Sequence, residues 1–192
     1  MRSSLNYQAS FFHVVEPIGS DKCCYKHCNL LDEAQVQETV AHTIEKYGHV
    51  DILFSNAGIM GRSIIIMEKD LQELDRIVAV NMRGSAAFIK HVARVMMDSQ
   101  TRCSIICTAS IASIVGGLSP HSYSISKHAL GLVRSAAFEL GKQGIRVNCI
   151  SPSVVPHADV GGRRGRLGST DGGVCAGQIQ LEGNRVEAQK CG

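Results

Sequence analysis

The amino-acid sequence predicts an α/β protein built on a doubly wound parallel sheet. Two observations carry this. Short, continuously apolar strands alternate with helical segments along the chain, the pattern of a parallel sheet covered by its own crossover helices. Asn56, Ser110 and Ser151-Pro152 fall just after three of those strands, at the carboxyl ends where such sheets bind ligands.

The elements follow in order. Residues 1–22 show no period and are unassigned. Residues 23–30 (CCYKHCNL) read as a short strand. Asp32 is a helix N-cap with Gln35 three residues on, as in a capping box. Val36, Val40, Ile44 and Tyr47 continue at helical spacing to Gly48, which ends the helix. Val50 to Phe54 is an apolar strand, closed by the turn Ser55-Asn56-Ala57-Gly58. A long helical pattern runs from about Lys69 to Asp98 through Leu71, Leu74, Ile77, Val78, Phe88, Ile89, Val92 and Val95. Cys103 to Thr108 is a strand. Ser119-Pro120 opens one helix through Tyr123, Lys127, Leu130, Val133 and Leu140, and Ile145 to Ile150 is the last strand. Residues 157–192 form a Gly/Arg-rich tail without hydrophobic period, expected to be disordered. The organised domain is residues 23–156.

With 192 residues, 44% hydrophobic and 19% charged, the chain suffices for one domain and is neither fibrous nor wholly disordered. The net charge is +3, and the stretch from Gly161 holds five Lys/Arg against three Asp/Glu, so +2 of it sits in the tail. A nearly neutral body argues against a nucleic-acid partner. No apolar run approaches the ~20 residues of a membrane span, and His13 interrupts the short apolar stretch Phe11–Val15, a poor signal peptide. A cytoplasmic protein without a membrane partner is expected. The eight cysteines contain no Cys-x-x-Cys pair, so neither a metal site nor a disulfide framework is expected.

Tyr123 and Lys127 are the centre of the chemistry. At i and i+4 they share a helix face. A phenol has a pKa near ~10 and is a poor acid-base catalyst at neutral pH. An ammonium held beside it favours the phenolate, so the pair can give a proton to a carbonyl or take one from an alcohol. Ser110, thirteen residues before Tyr123, could hydrogen-bond the same substrate oxygen. Ser113 is the other candidate serine; the spacing favours Ser110. His121, His128, Met96 and Met97 are expected on surfaces or in packing.

Asn56-Ala57-Gly58, Val80-Asn81-Met82-Arg83-Gly84, Thr108-Ala109-Ser110, Tyr123-Ser124-Ile125-Ser126-Lys127, and Ile145-Arg146-Val147-Asn148 with Ser151-Pro152 are five ordered motifs. Together they resemble the short-chain dehydrogenase/reductase family, which has a Rossmann-like fold. Pro120-His121-Ser122-Tyr123 and Lys127-His128-Ala129 are similar in wording to plant members of secondary metabolism, of the xanthoxin, secoisolariciresinol and momilactone dehydrogenase type. The resemblance implies an NAD- or NADP-dependent oxidoreductase, with NAD slightly favoured, acting on a small secondary alcohol or ketone. It makes Tyr123 the acid/base, and Lys127 the group that lowers its pKa and holds the nicotinamide ribose. Ser110 orients the carbonyl oxygen, and Asn81 anchors a relay water and bends its helix. Asn56, Ala57, Gly58, Tyr123, Lys127 and Pro152 line the cofactor. It also implies oligomerisation through the helices near 70–98 and 120–141, with copies of itself or with full-length members.

The sequence departs from that family at both ends. No Gly-rich turn precedes residue 48, where Gly19 is the sole earlier glycine, although a dinucleotide fold needs one for the pyrophosphate. The strand at Cys23 matches the family's third, so the first βαβ part is expected to be lacking. Asn29 stands where the family has an adenine-side Asp. Gly162, Gly165 and Gly168 follow no strand and are no substitute. After Pro156 the family pattern stops. A one-nucleotide shift over Gln178–Cys191 permits Asn-Leu-Lys-Gly-Thr-Val-Leu-Lys, which resembles the family's substrate lid and implies a frameshifted end. A truncated, catalytically inactive chain that pairs with full-length subunits is therefore the alternative to an active oxidoreductase.

Overall fold

A computed structural model describes residues 22–99, 102–128 and 130–153. The expectations for residues 1–21, for the tail 157–192, and for its Gly and Arg runs lie outside the described residues.

Helix α1 (Glu33–Tyr47) starts where the cap residues place it. The Asp32 carboxylate accepts the Ala34 and Gln35 N–H groups, and Gly48 leaves the helix at φ 83°, a conformation that suits glycine. The capping box closes differently from its usual form. Gln35 Oε1 accepts from the Asn29 N–H (3.0 Å) while Gln35 Nε2 donates to Asp32. The Asn29 side chain turns the chain into α1, accepting from the Leu31 N–H at 3.1 Å.

Residues 23–30, expected as a strand, form none: 23–29 carry no regular secondary structure and Leu30 lies in a turn. A strand exists only through a ladder partner, and this segment has none among the described residues. Its apolar members still find the core: Cys28 and Leu30 are buried. Leu30 packs so closely on Gly84 that a Cβ there would lie 2.9 Å from the Leu30 Cβ.

Strands β1 (Ile52–Ser55), β2 (Ser104–Thr108) and β3 (Arg146–Ile150) form a parallel sheet in the order β1-β2-β3. Leu53, Ile105 and Val147 stand in register across it and are all buried. Between β1 and β2 run α2 (Leu71–Val78), a π-helical turn (Ala79–Arg83) and α3 (Gly84–Ser99). Between β2 and β3 run α4 (His121–Lys127) and α5 (Leu130–Gly141). The expected single helix from Ser119 to Gly141 is thus two. Both crossovers step the same way along the sheet, and right-handed connection then puts their helices on one face. Among the described residues that face alone is covered. α1 joins the same layer on α3, where the Glu33 carboxylate takes Lys90 Nζ (2.6 Å) and His91 Nε2 (3.1 Å).

The core is aliphatic, centred on Phe88, Leu53, Ile77, Met96, Ile105, Val92 and Ile145. Met96 is buried and Met97 is exposed; His121 and His128 are exposed as expected, and Leu71 stands out in solvent despite its helical spacing. No helix among the described residues is long and apolar enough to cross a membrane. Within α4 the Ser122 hydroxyl is fully buried and has no hydrogen-bond partner among the described residues. A buried orphan hydroxyl costs stability. Ser122→Ala is therefore expected to raise the unfolding free energy by up to about 1 kcal/mol, read from the urea midpoint at unchanged slope.

Candidate active site

The site is built where β1 and β2 end. Asn81 lies in the π-helical turn and is 6% exposed. π-turns inside helices re-aim groups at functional positions, and here the turn delivers a carboxamide to the loop after β1. Asn81 Oδ1 accepts from the Ile59 N–H at 2.8 Å, and Nδ2 donates to the Ile59 carbonyl at 2.9 Å. The second Nδ2 hydrogen goes to Ser126 Oγ, at 2.8 Å, and Ser126 in turn donates to the Tyr123 carbonyl at 2.8 Å. The Asn81 carbonyl accepts from Ser85 Oγ at 2.8 Å.

Lys127 ends α4 and is only 7% exposed. Its Nζ donates to the Thr108 carbonyl at 2.7 Å, at the end of β2, and lies 5.6 Å from the centre of the half-buried Tyr123 ring. Two ammonium hydrogens remain for other acceptors. Thr108 Oγ1 donates to Asn56 Oδ1 at 2.7 Å, which ties the exposed Asn56 to the same strand end. Gly58 passes between: a Cβ there would lie 3.3 Å from Asn81 Oδ1 and 3.5 Å from Lys127 Nζ. A side chain there would press on Asn81 Oδ1, while its contact with Lys127 Nζ would be an ordinary one. A cavity of about 30 Å³, lined by Asn81, Cys107, Thr108, Ser126, Lys127 and Cys149, adjoins this cluster.

Ser110 begins a 3-10 turn (Ile111–Ser113), and its Oγ accepts from the Ala112 N–H at 3.2 Å. Its own proton is available to a ligand oxygen. No hydrogen bond joins it to Tyr123 among the described residues. Ser113 donates to the Ser110 carbonyl at 2.6 Å, so its hydroxyl is spent inside the turn. Pro152 is exposed; its carbonyl accepts from the Ile111 N–H (3.0 Å) and joins the loops after β2 and β3. Asn81, Gly58, Tyr123 and Lys127 are thus gathered directly, with Asn56 reached through Thr108, while Ser110, Ala57 and Pro152 stand on adjoining turns. Ser126 and the Thr108 carbonyl were not singled out in the sequence. For Ser126 the readable sign was a small hydroxyl one turn after Ser122, on the helix face that turns inward.

Burial pushes the Lys127 pKa below the ordinary lysine value, against an opposing pull from the Cys107 thiol. Burial, with the Cys149 thiol adding, pushes Cys107 up from 9.0 to about 11. The two act oppositely on alkaline stability. Unfolded Cys107 loses its proton before the folded thiol does, so stability falls as pH rises from about 9 to about 11. Unfolded Lys127 keeps its proton longer than the folded amine, so stability rises with pH below the unfolded lysine value. Cys107→Ala is expected to remove about 1–2 kcal/mol of the stability lost between pH 8.5 and 10.5, and Lys127→Met to steepen that loss. Urea unfolding across this range checks both signs. Among the described residues no disulfide forms and no group of three or more His, Cys, Asp or Glu could hold a metal.

The parallel sheet, with a Tyr-x-x-x-Lys pair and a buried Asn gathered at its strand ends, is of the Rossmann-like class. The chain belongs to the short-chain dehydrogenase/reductase family. The family model described as enoyl-(acyl carrier protein) reductase matches residues 6–168. The chain is 50% identical over 141 residues to short-chain dehydrogenase reductase 3b of Arabidopsis thaliana, covering 73% of this chain and 55% of that protein. It is 45% identical over 147 residues to secoisolariciresinol dehydrogenase of Forsythia intermedia, covering 76% and 53%. The structure of levodione reductase is similar, with TM-score 0.72 and 32% identity over 77% of this chain and 57% of that one. NAD+-bound xylitol dehydrogenase is similar at TM-score 0.63 and 32% identity, over 66% and 48%. The chain spans about half the length of the curated relatives it matches.

Proposed function

We propose that this chain carries the acid/base half of an oxidoreductase that interconverts a small secondary alcohol and its ketone. The observation that carries the reading is the Lys127 ammonium, buried at the Thr108 carbonyl and 5.6 Å from the centre of the Tyr123 ring. In the reducing direction the Tyr123 hydroxyl gives its proton to the carbonyl oxygen, and the Lys127 charge stabilises the phenolate left behind. Ser110 donates to the same oxygen and fixes its direction. Asn81 holds the loop after β1 against α4. A nicotinamide, when bound, supplies or accepts the hydride at the substrate carbon.

The residues fit the nicotinamide end of such a cofactor. Asn56, Lys127 and the Pro152 loop offer polar groups at the strand ends, beside the close approach of Gly58 to Asn81. For the pyrophosphate end, no Gly-rich turn between a strand and a helix occurs before residue 48. NAD is the favoured cofactor by resemblance, and the similar NAD+-bound xylitol dehydrogenase agrees with a nicotinamide partner. By resemblance to the family, a substrate from plant secondary metabolism and a cytoplasmic setting belong to the same proposal.

A second reading stands beside it. In it the chain is catalytically silent and pairs with other family members through α3 and the α4–α5 pair. Nicotinamide fluorescence separates the two. Saturable NADH or NADPH binding at micromolar concentration, retained in Tyr123→Phe, supports the oxidoreductase. A folded sample that binds neither cofactor supports the silent chain.

A further inference from the structure

We propose that Ser126 is a positioning residue of this site: its hydroxyl ties the Tyr123–Lys127 helix to Asn81 and so keeps Lys127 Nζ in place at the Thr108 carbonyl.

A serine back-bonded to a carbonyl of its own helix is ordinary and does nothing by itself. Ser126 differs because its oxygen is used twice. It donates to the Tyr123 carbonyl and accepts from Asn81 Nδ2, both at 2.8 Å, and is 1% exposed. The carboxamide of Asn81 is committed elsewhere, with two bonds to Ile59 on the loop after β1. Among the described contacts Ser126 is its link to α4. The hydroxyl therefore joins two separately folded pieces, the π-helical turn and the catalytic helix.

The position makes the link matter. α4 has seven residues and ends at Lys127, and His128 caps it by donating to the Ser124 and Ile125 carbonyls. Two turns of helix are not self-supporting. The last turn, which carries Lys127, is anchored by the Ser126 bridge on one side and by the Nζ bond to Thr108 on the other. Without the bridge, a buried Asn81 N–H loses its acceptor and water can replace Ser126 there. The last turn then gains freedom, and Lys127 Nζ gains hydration.

The inference rests on the proposed function only for calling the Tyr123–Lys127 pair catalytic, so its test avoids turnover. The ¹³Cε resonance of Lys127, assigned by its loss in Lys127→Met, is titrated in the full chain. In the wild type, burial is expected to hold the midpoint below the ordinary lysine value. Ser126→Ala is expected to raise it by at least about half a pH unit, Ser126→Cys to raise it less, and Ser126→Thr to restore it by returning the hydroxyl. A loss of overall stability alone would not move the midpoint of the folded population. If Ser126→Ala does not fold, Ser126→Cys carries the comparison. An unmoved midpoint in the folded variants, or a Ser126→Thr midpoint as high as that of Ser126→Ala, overturns the proposal. Failure of cofactor binding with the Lys127 response intact would instead remove the catalytic reading and leave the bridge standing.

Discussion

Tyr123→Phe is expected to lower the turnover of a secondary alcohol or ketone by roughly 10²–10⁴-fold, the usual contribution of a positioned acid/base group. The substitution deletes one hydroxyl from a half-buried ring whose backbone carbonyl is held by Ser126. The Lys127 bond to Thr108 does not involve that hydroxyl, so the fold remains. KM and nicotinamide binding should accordingly change less than about threefold while kcat collapses, the signature of an interaction made in the transition state alone. Steady-state kinetics of the two proteins read this directly. Equal kcat values would place the proton transfer on another group, and Ser110 would be the first to examine by Ser110→Ala.

The second large effect is on stability. Asn81→Ala is expected to lower the unfolding free energy by about 3 kcal/mol. The side chain makes three hydrogen bonds, two of them to the backbone of Ile59. Alanine leaves a buried N–H and carbonyl without partners, and such desolvated orphans cost about 1–3 kcal/mol each. Asn148→Ala is the control. Asn148 is exposed on β3, so its change should stay within about 0.5 kcal/mol. Urea unfolding of both variants decides the point. Similar small losses would mean that the Asn81 carboxamide does not clamp the loop after β1.

Much of this arrangement is legible in the residues. Asp32 and Gly48 bound α1 because a carboxylate cap and a left-handed glycine are local requirements. Parallel strands show as apolar runs, and β1, β2 and β3 lie within a residue or two of where those runs predict them. The strand expected at residues 23–30 fails for a physical reason. Its composition suits a strand, yet pairing is a property of two segments and local sequence speaks for one. The 119–141 pattern divides after Lys127, whose Nζ bonds the Thr108 carbonyl, a contact that helical spacing does not display. The π-helical turn could be expected only as a bend at Asn81; its stability comes from bonds to Ile59 and Ser126, which sequence distance hides. Lys127 was read as a partner of Tyr123, and its burial against β2 follows only from the sheet register.

On the proposed reading, Asn56, Lys127 and the Pro152 loop hold the nicotinamide end of a cofactor, and no Gly-rich turn for a pyrophosphate occurs among the described residues. Comparing reduced nicotinamide mononucleotide with NADH on the same purified chain tests it most directly. We expect the two to bind within about threefold of each other, with Lys127→Met weakening both. NADH binding a hundredfold tighter than the mononucleotide would contradict the claim by revealing a dinucleotide site, and no binding of either would remove the nicotinamide end as well.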